Sequence, residues 1–254
     1  MYTMKGMFYS CVKRAFFSKK YAASIIGTII MCFICSKEYF SPDANSAYII
    51  DLMINLGMFK KTIVFFSAFP FVTVFYDDFN SKFIYSVVLR SGENKYILSS
   101  VICCVMTGFS ALFLGIIAFF SMLSLLYPCQ AYETIGVYST IALNHPIFFV
   151  FIITSIFSLY ASIWTVAGLT LSSLLPNKYI ALGSPLILGY ILEELTYKMP
   201  VCFNLYKLSH GYAVFDNSVY WNYIYTIAVF VLVIVVEGCI FSRVVKRRIR
   251  NELV

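Results

Sequence analysis

Residues 76–96 read YDDFNSKFIYSVVLRSGENKY, a charged stretch that lies between two apolar segments. Charged side chains are costly in hydrocarbon, so this stretch belongs outside the membrane core. Its apolar side chains recur at helical spacing and need an apolar surface to cover them: Phe83, Ile84, Val87 and Val88. The pattern predicts a short amphipathic helix at the membrane face. That helix is expected to end at Gly92, because glycine tolerates the backbone conformation that ends helices.

The composition is that of a membrane protein. Of the 254 residues, 61% are hydrophobic and 12% are charged, and the mean hydropathy is +0.83. Soluble domains carry about twice that charged fraction, roughly 25%. The net charge of +7 would suit a nucleic-acid ligand, but the cations cluster at the ends of apolar segments. Membrane orientation explains that clustering, so we predict contact with lipid and none with nucleic acid.

The apolar segments predict an all-α membrane protein with six transmembrane helices, in one domain over residues 1–254. Segments 52–76 and 179–195 contain prolines, Pro70 and Pro185, which are expected to bend them. The turn after Leu175 is very tight, so the fourth and fifth spans are expected to be antiparallel neighbours. The six spans are expected at about 21–36, 52–76, 97–127, 147–175, 179–195 and 221–242.

Details of the second and third spans are also expected. A polar loop over 38–51 precedes the second span, and Lys60 and Lys61 near its start extend to the outer interface. The third span is longer than a bilayer core requires, so it must tilt or project. Its Gly108 and Gly115 supply a small-residue face for close helix packing.

Two further segments are expected to lie at the membrane surface. Residues 1–20 place an apolar stripe beside lysines, which is typical of an interfacial helix. Residues 196–220 contain an apolar patch at 201–206 that is too short to cross, so we expect a short re-entrant or interfacial element on the outer side. The stripe in residues 1–20 comprises Met4, Met7, Phe8, Cys11 and Ala15.

The distribution of cations predicts the orientation. If the amino terminus is cytoplasmic, 14 of the 19 lysines and arginines lie in inner segments and five in outer segments. Inner loops of membrane proteins are enriched in lysine and arginine. We therefore expect a multi-pass protein of the cytoplasmic membrane with both termini in the cytoplasm.

Residues 76–96 also resemble a known family. Their order is an aromatic residue, an acidic pair, a short helix, Leu-Arg-Ser-Gly, Lys-Tyr and then a long apolar helix. This order is similar to the loop between the second and third spans in permease subunits of ABC transporters of the second exporter class (ABC-2 type). In that family the loop carries a coupling helix that docks on a separate ATPase subunit. The chain's length, six spans and basic amphipathic start fit the same layout.

The resemblance implies the partners and the residues that contact them. Two such permeases, identical or similar, would form a homodimer or a heterodimer and work with two copies of an ATP-binding subunit. The residues of the 76–96 cytoplasmic loop that would contact that subunit are Asp78, Phe79, Lys82, Phe83, Tyr85, Ser86 and Arg90.

The resemblance also implies ATP-driven export by alternating access, of a peptide, a drug-like molecule or a lipid-linked molecule. The sequence has no GxxxxGK[ST] motif, which cradles nucleotide phosphates. We therefore expect no cofactor and no enzymatic activity on this chain, with ATP and Mg²⁺ held by the partner ATPase.

Glu237 is the only carboxylate well inside a predicted span. An acid within the membrane is a candidate for proton coupling or for binding a cationic substrate. The alternative, which we prefer, is a pairing with a cation near the inner interface. Arg243 lies six residues further on, or about 9 Å along a helix.

Two other functions remain open. One is a membrane-embedded protease of the prenyl-endopeptidase group, in which glutamate and histidine activate water. The active-site elements of that group resemble a set of residues in this chain: Glu193, Glu194, Lys198, Tyr206 and His210. That group has arginine where this chain has Lys198, and the chain's only other histidine is His145. The other alternative is a membrane accessory or immunity protein that transports nothing.

The eight cysteines show no zinc-binding spacing, and most lie in apolar segments. Cys129 and Cys202 are both predicted to lie on the outer side. They would form a disulfide in an oxidising compartment, or remain two partly buried free thiols. The sequence leaves both alternatives open.

Overall fold

The structure, a computed structural model, describes residues 4–41, 44–55, 60–134, 136–215 and 218–253. Within these ranges the chain forms helices and no strands. Short 3₁₀ turns occur at Lys37–Tyr39 and Val201–Phe203. The α-helices are α1 Met4–Phe16, α2 Lys19–Ser36, α3 Ser46–Asn55, α4 Lys60–Ala68, α5 Val74–Asn80, α6 Phe83–Ser91, α7 Glu93–Ser124, α8 Ser139–Asn144, α9 Pro146–Leu174, α10 Lys178–Thr196, α11 Leu205–Ser209 and α12 Val219–Leu253.

Four helical segments are long and apolar enough to cross a membrane: Lys19–Tyr39, Glu93–Ser124, Pro146–Leu174 and Val219–Asn251. Within the described residues the predicted all-α class is therefore confirmed, and these four helices are candidate membrane spans by length and composition. These four segments correspond to the first, third, fourth and sixth predicted spans, although the third and fourth end slightly earlier than predicted. With 32 residues, α7 is about 48 Å long and exceeds a hydrocarbon core of about 30 Å, as its sequence predicted.

The second and fifth predicted spans, 52–76 and 179–195, are not among these four segments. Segment 52–76 is divided among α3, α4 and α5, and residues 56–59 lie outside the described part of the chain. The expected bend at Pro70 is a complete break over 69–73, since proline lacks the N–H that a helix interior needs. In α10 the helix continues through Pro185. Neither segment meets the length and apolarity of the four, so the six-span count stays a prediction.

The connection before the second predicted span is shorter than expected. The sequence predicted a polar loop up to Asp51, but α3 begins at Ser46. The side chain of Asn45 accepts a hydrogen bond from the backbone N–H of Ala47 at 3.1 Å. The N–H of Ser46 donates to the carbonyl of Pro128 at 3.1 Å. A local asparagine cap and a distant carbonyl therefore start the helix early.

The helix bundle has two ends. The α6 end contains α1, α5, α6 and the last turns of α9 and α12. There Arg248 of α12 donates to the carbonyl of Ser173 in α9 at 2.9 Å. The α11 end contains residues 125–134 and 136–145, α11 and the start of α12. There the N–H of Val137 donates to the carbonyl of Gly211 at 3.2 Å.

The centre of the bundle is α9, which packs against α7, α10 and α12. Its buried hydroxyls mostly donate to its own backbone, as Ser162 does to the carbonyl of Ser158 at 2.9 Å. The turn to α10 is tight, and Asn177 caps the new helix by accepting from the N–H of Tyr179 at 2.9 Å. Because α10 runs back along α9, the predicted antiparallel pair is confirmed.

Small residues on α7 allow close helix contacts, as the sequence predicted. A Cβ atom added at Gly115 would lie 2.7 Å from Cγ2 of Thr28 in α2. A Cβ atom at Gly108 would lie 2.8 Å from Cγ2 of Thr165 in α9. Real Cβ atoms do not approach other atoms so closely, so α2 and α9 can pack on α7 only while these residues are glycine.

We expect Gly115→Leu to destabilise the protein by about 1–3 kcal/mol, because the new side chain would push α2 away from α7. The same substitution at Gly183 in α10 is the matched control, since a Cβ atom there meets nothing within 4 Å. Thermal unfolding of the two purified variants in detergent measures the difference. Equal melting temperatures would contradict this account of the α2–α7 contact.

Candidate functional site

The helix predicted within 76–96 is present as α6, and its boundaries are set by its backbone. Lys82 precedes it with a φ of 57°, in the left-handed region that few non-glycine residues adopt. Gly92 ends it with a φ of 86°, and its N–H donates to the carbonyl of Val88 at 2.8 Å. The predicted stop at Gly92 is confirmed. The next helix begins at Glu93 rather than at about residue 97, because Gly92 alone forms the corner.

A buried carboxylate joins three helices beside α6. Asp78 of α5 is only 3% exposed. It forms an ion pair with Arg14 of α1 at 2.5 Å and accepts a hydrogen bond from the hydroxyl of Tyr96 in α7 at 3.1 Å. Burial raises the pKa of Asp78 above its ordinary value, although Arg14 acts in the opposite direction. Removing either partner would leave a poorly compensated charge in the bundle.

The neighbouring acid has a separate partner. Asp77 forms an ion pair with Lys20 of α2 at 3.2 Å, and the same ammonium group donates to the hydroxyl of Thr73 at 2.9 Å. Phe79 lies under the guanidinium of Arg248 from α12, at 4.9 Å from the ring centre. The short helix α5 is thus held by α1, α2, α7 and α12.

The predicted partner-contact residues divide into two groups. Asp78 is buried, and Phe79 and Tyr85 are partly buried and pack against the apolar cluster at the α6 end. These three side chains stabilise the bundle in this structure, because their surfaces are used internally. The other four are exposed: Lys82, Phe83, Ser86 and Arg90.

Leu89 belongs with the exposed group, and our sequence analysis missed it. Its side chain is 80% exposed and that of Phe83 is 50% exposed. Residues 83, 86, 89 and 90 follow helical spacing, opposite the fully buried Ile84. The sequence could have indicated this exposed apolar residue, because Leu89 lies on the helix face that the amphipathic pattern assigned to solvent. We call Phe83, Ser86, Leu89 and Arg90 the α6 stripe.

A groove of about 590 Å³ runs beside the stripe, between α1 and α6. Met7, Cys11 and Val87 supply apolar surface, and Arg14 and Lys82 supply positive charge. The described part of the apolar stripe predicted for residues 1–20 faces the bundle here, since Cys11 and Ala15 are buried and Met7 and Phe8 pack on the same cluster. Met4 has no described side chain. The groove and the stripe form one surface at the α6 end.

Glu237 lies in α12, near Cys104 of α7. Its Oε2 atom is buried and has no hydrogen-bond partner among the described residues. Nor does any ion pair in the described part of the chain join it to Arg243. The pairing that we preferred from the sequence is therefore not formed in this structure, and a functional role for Glu237 stays a prediction.

A second polar cluster lies toward the α11 end. Glu193 of α10 forms an ion pair with Lys61 of α4 at 2.7 Å, and the ammonium group also lies 3.3 Å from the ring centre of Tyr190. The rings of Tyr206 and His210 are 4.1 Å apart and border the same small crevice as Glu193. Burial, and then the carboxylate of Glu193, raises the pKa of Tyr206 to about 12.

This cluster contains only part of the protease-like set. Glu193 and His210 share a crevice, as that hypothesis requires, but Glu194 is exposed and His145 caps α9 elsewhere. Within the described residues, no three histidine, cysteine, aspartate or glutamate side chains are grouped so as to hold a metal ion. Lys61, which was expected to extend to the membrane interface, instead neutralises Glu193.

The predicted element between the last two spans consists of two short pieces. The 3₁₀ turn at Val201–Phe203 is followed by α11, and the side chain of Asn204 caps α11 by accepting from the N–H of Lys207 at 3.0 Å. Its amide also donates to the carbonyl of Thr196 at 2.7 Å, so the segment folds back on the end of α10. Cys129 and Cys202 are both free thiols and form no disulfide.

Asp51, which our sequence analysis assigned to a loop, is a buried member of the α11 end. It accepts hydrogen bonds from the amide of Asn55 at 2.6 Å and from the hydroxyl of Thr134 at 2.5 Å. Burial raises the pKa of Asp51 above its ordinary value. No local pattern marks this residue, because Thr134 comes from a distant loop.

We expect Arg14→Ala to destabilise the protein by about 1–3 kcal/mol, a value reduced for the partial exposure of Arg14. The pKa of Asp78 is already raised in the folded protein and would rise further, so the cost should be larger at pH 8 than at pH 5. Thermal unfolding at both pH values measures it, with the exposed neighbour Lys13→Ala as control. Adding Asp78→Asn should remove the pH dependence of the cost of Arg14→Ala. If that pH dependence persists, it does not arise from Asp78.

A comparison of the chain with models of protein families, with curated proteins and with solved structures gives no match. The function must therefore be argued from the contacts of the chain itself, beginning with the α6 end.

Proposed function

We propose that the chain is the membrane-spanning permease subunit of an ATP-driven exporter of the second ABC exporter class. In this proposal α6 is the coupling helix that docks on a separate ATP-binding subunit. The observation that carries the proposal is the division of α6 into two faces. One face is fixed to the bundle through Ile84, and the other exposes the α6 stripe, where the guanidinium of Arg14 lies 6.0 Å from the ring centre of Phe83 and Leu89 is 80% exposed.

The stripe has the chemistry of a docking surface. Phe83 and Leu89 are large apolar side chains that would gain by entering a groove on another protein. Arg90 and Lys82 add charge beside them, which would set the orientation of a partner with acidic groups. A helix that only shields the bundle from water would not need to expose two large apolar side chains on its outer face.

The contacts behind the stripe suit the transmission of a movement. Between α5 and α6 there are only two residues, and between α6 and α7 there is only Gly92. The ion pairs of Asp78 with Arg14 and of Asp77 with Lys20 connect α5 to α1 and α2. A shift of α6 imposed by a partner would therefore act on several helices together, which favours a two-state rearrangement.

The same proposal gives the topology. Six spans result if α10 crosses as one pass and α3 to α5 together form another. The α6 end is then cytoplasmic and contains both termini, while residues 196–220 form a re-entrant element on the outer side of the cytoplasmic membrane. The cations of α1, the start of α2 and the end of α12 favour this orientation. Two such chains would pair, and two partner subunits would hold ATP and Mg²⁺.

We expect Arg90→Glu to reduce the amount of co-purifying ATP-binding subunit about tenfold, which corresponds to about 1.4 kcal/mol of binding free energy. Leu89→Asp should have at least the same effect, because it places a charge in the apolar part of the contact. Arg243→Glu is the matched control, since Arg243 is an exposed arginine near the same end but on α12.

The measurement is affinity purification of the tagged chain from its native membranes, with the ATP-binding subunit quantified relative to the chain. Thermal unfolding of each variant establishes that the bundle is intact. If the unmodified chain purifies without any nucleotide-binding subunit, the exporter proposal is wrong. If a subunit co-purifies equally with all variants, the contact lies elsewhere than the α6 stripe.

A further inference from the structure

A cavity of about 550 Å³ lies where α10 and α12 separate on the surface of α9. The segment before α11 closes it toward the α11 end. Its walls are mainly apolar, and a cavity of this size with few polar groups is typical of small-molecule sites. Five of the side chains that line it are aromatic: Tyr160, Trp164, Phe203, Tyr206 and Tyr225.

The cavity opens to the side of the bundle. Three of its lining residues are also exposed on the outer surface, Leu192 of α10, Leu232 of α12 and Phe203 between them. The side chains of Leu232 and Phe203 are 62% and 69% exposed. If α12, which is long and apolar enough to span a membrane, crosses it as proposed, this opening faces lipid. An apolar molecule could enter from the bilayer without crossing a polar surface.

Glu193 is the only charged side chain among the described residues that line this cavity. Its side chain is 18% exposed, and its Oε2 atom is held by Lys61 at 2.7 Å. Lys61 lies behind Glu193, where it borders the adjoining crevice rather than the cavity. The cavity therefore contains one carboxylate, paired from behind with Lys61, among aromatic rings.

A second cavity, of about 480 Å³, lies on the other side of Tyr206 and is also acidic. Asp51 and Glu133 line it together with His210, and no lysine or arginine is among its described lining residues. Tyr206 borders both cavities, and its ring packs against His210. The polar surface next to the apolar cavity thus also favours positive charge.

We propose that the apolar cavity binds a hydrophobic organic cation, with its apolar groups among the aromatic rings and its charge beside Glu193. A cation in an apolar site gains from a carboxylate and from the faces of aromatic rings. An anion of the same shape meets no cationic side chain among the described residues that line the cavity. The binding of such cations in the cavity does not depend on the exporter proposal above. Their role as exported substrates does rest on that proposal.

Tetraphenylphosphonium and tetraphenylborate form a suitable pair of probes, because they have the same shape and opposite charge. The chain has two tryptophans, so Trp221→Phe leaves Trp164, in the cavity wall, as the only one. In this background, purified in detergent, tetraphenylphosphonium should change the Trp164 fluorescence with a saturable dependence on concentration. Tetraphenylborate should give no saturable change.

Two adjacent glutamates provide the test of the charge. Glu193→Gln should weaken tetraphenylphosphonium binding about tenfold, whereas Glu194→Gln should leave it unchanged, because Glu194 is exposed and does not line the cavity. Ala228→Phe, which fills the cavity without changing a charge, should abolish the signal even if Glu193→Gln folds poorly. Size-exclusion chromatography and thermal unfolding establish which variants are folded.

Equal affinities in folded Glu193→Gln and Glu194→Gln, or saturable binding of tetraphenylborate, would overturn the proposal and indicate partition into detergent. Persistence of binding in Ala228→Phe would do the same. These measurements need no ATP-binding subunit. If binding fails while that subunit co-purifies, the exporter proposal stands and this inference falls; if binding succeeds without a subunit, the site stands and its role in export falls.

Discussion

The burial of the Asp78 carboxylate is the constraint on which the α6 end depends. A carboxylate taken out of water is tolerated only where charge and hydrogen bonds replace its hydration. Here the replacement comes from Arg14 of α1 and Tyr96 of α7. Arg14 and Tyr96 come from separate helices that meet α5 only in the folded bundle. The three helices are therefore stable together and poorly stable apart. Because the connections on both sides of α6 are short, the orientation of its exposed face relative to the bundle is then fixed.

This constraint explains why the acidic pair and the α6 stripe have different roles. Adjacent residues on a helix point in different directions, so Asp77 and Asp78 meet different partners on α2 and α1. Both charges are paired inside the bundle, and that of Asp78 is buried. What remains for a partner is the surface that no internal contact needs, which is mainly apolar around Phe83 and Leu89. A docking surface of this kind is held in place by the ion pairs without including them.

The features that the sequence predicted correctly are local ones. The helical spacing of apolar residues, the glycine stop at Gly92 and the tight turn before α10 depend on neighbours within a few residues. The features that it missed depend on distant segments. Asn45 and Pro128 together start α3 early, Lys61 meets Glu193 instead of the membrane interface, and Thr134 buries Asp51. Contacts between distant segments leave no local pattern in a single sequence. For that reason our predictions placed charged residues on surfaces that are covered by other parts of the fold.

The segment from α4 to α5 is one of several that connect the two ends of the bundle. Lys61, which neutralises Glu193, lies on α4, and α5 with Asp77 and Asp78 follows after the break at Pro70. In the exporter that we propose, a movement of α6 would pull on α5 and reach α4 through that break. An ion pair in a partly buried site weakens steeply as its groups separate and solvent enters. A displacement of α4 by a few ångströms would therefore change how strongly Glu193 is neutralised, and with it the affinity of the adjoining cavity for a cation.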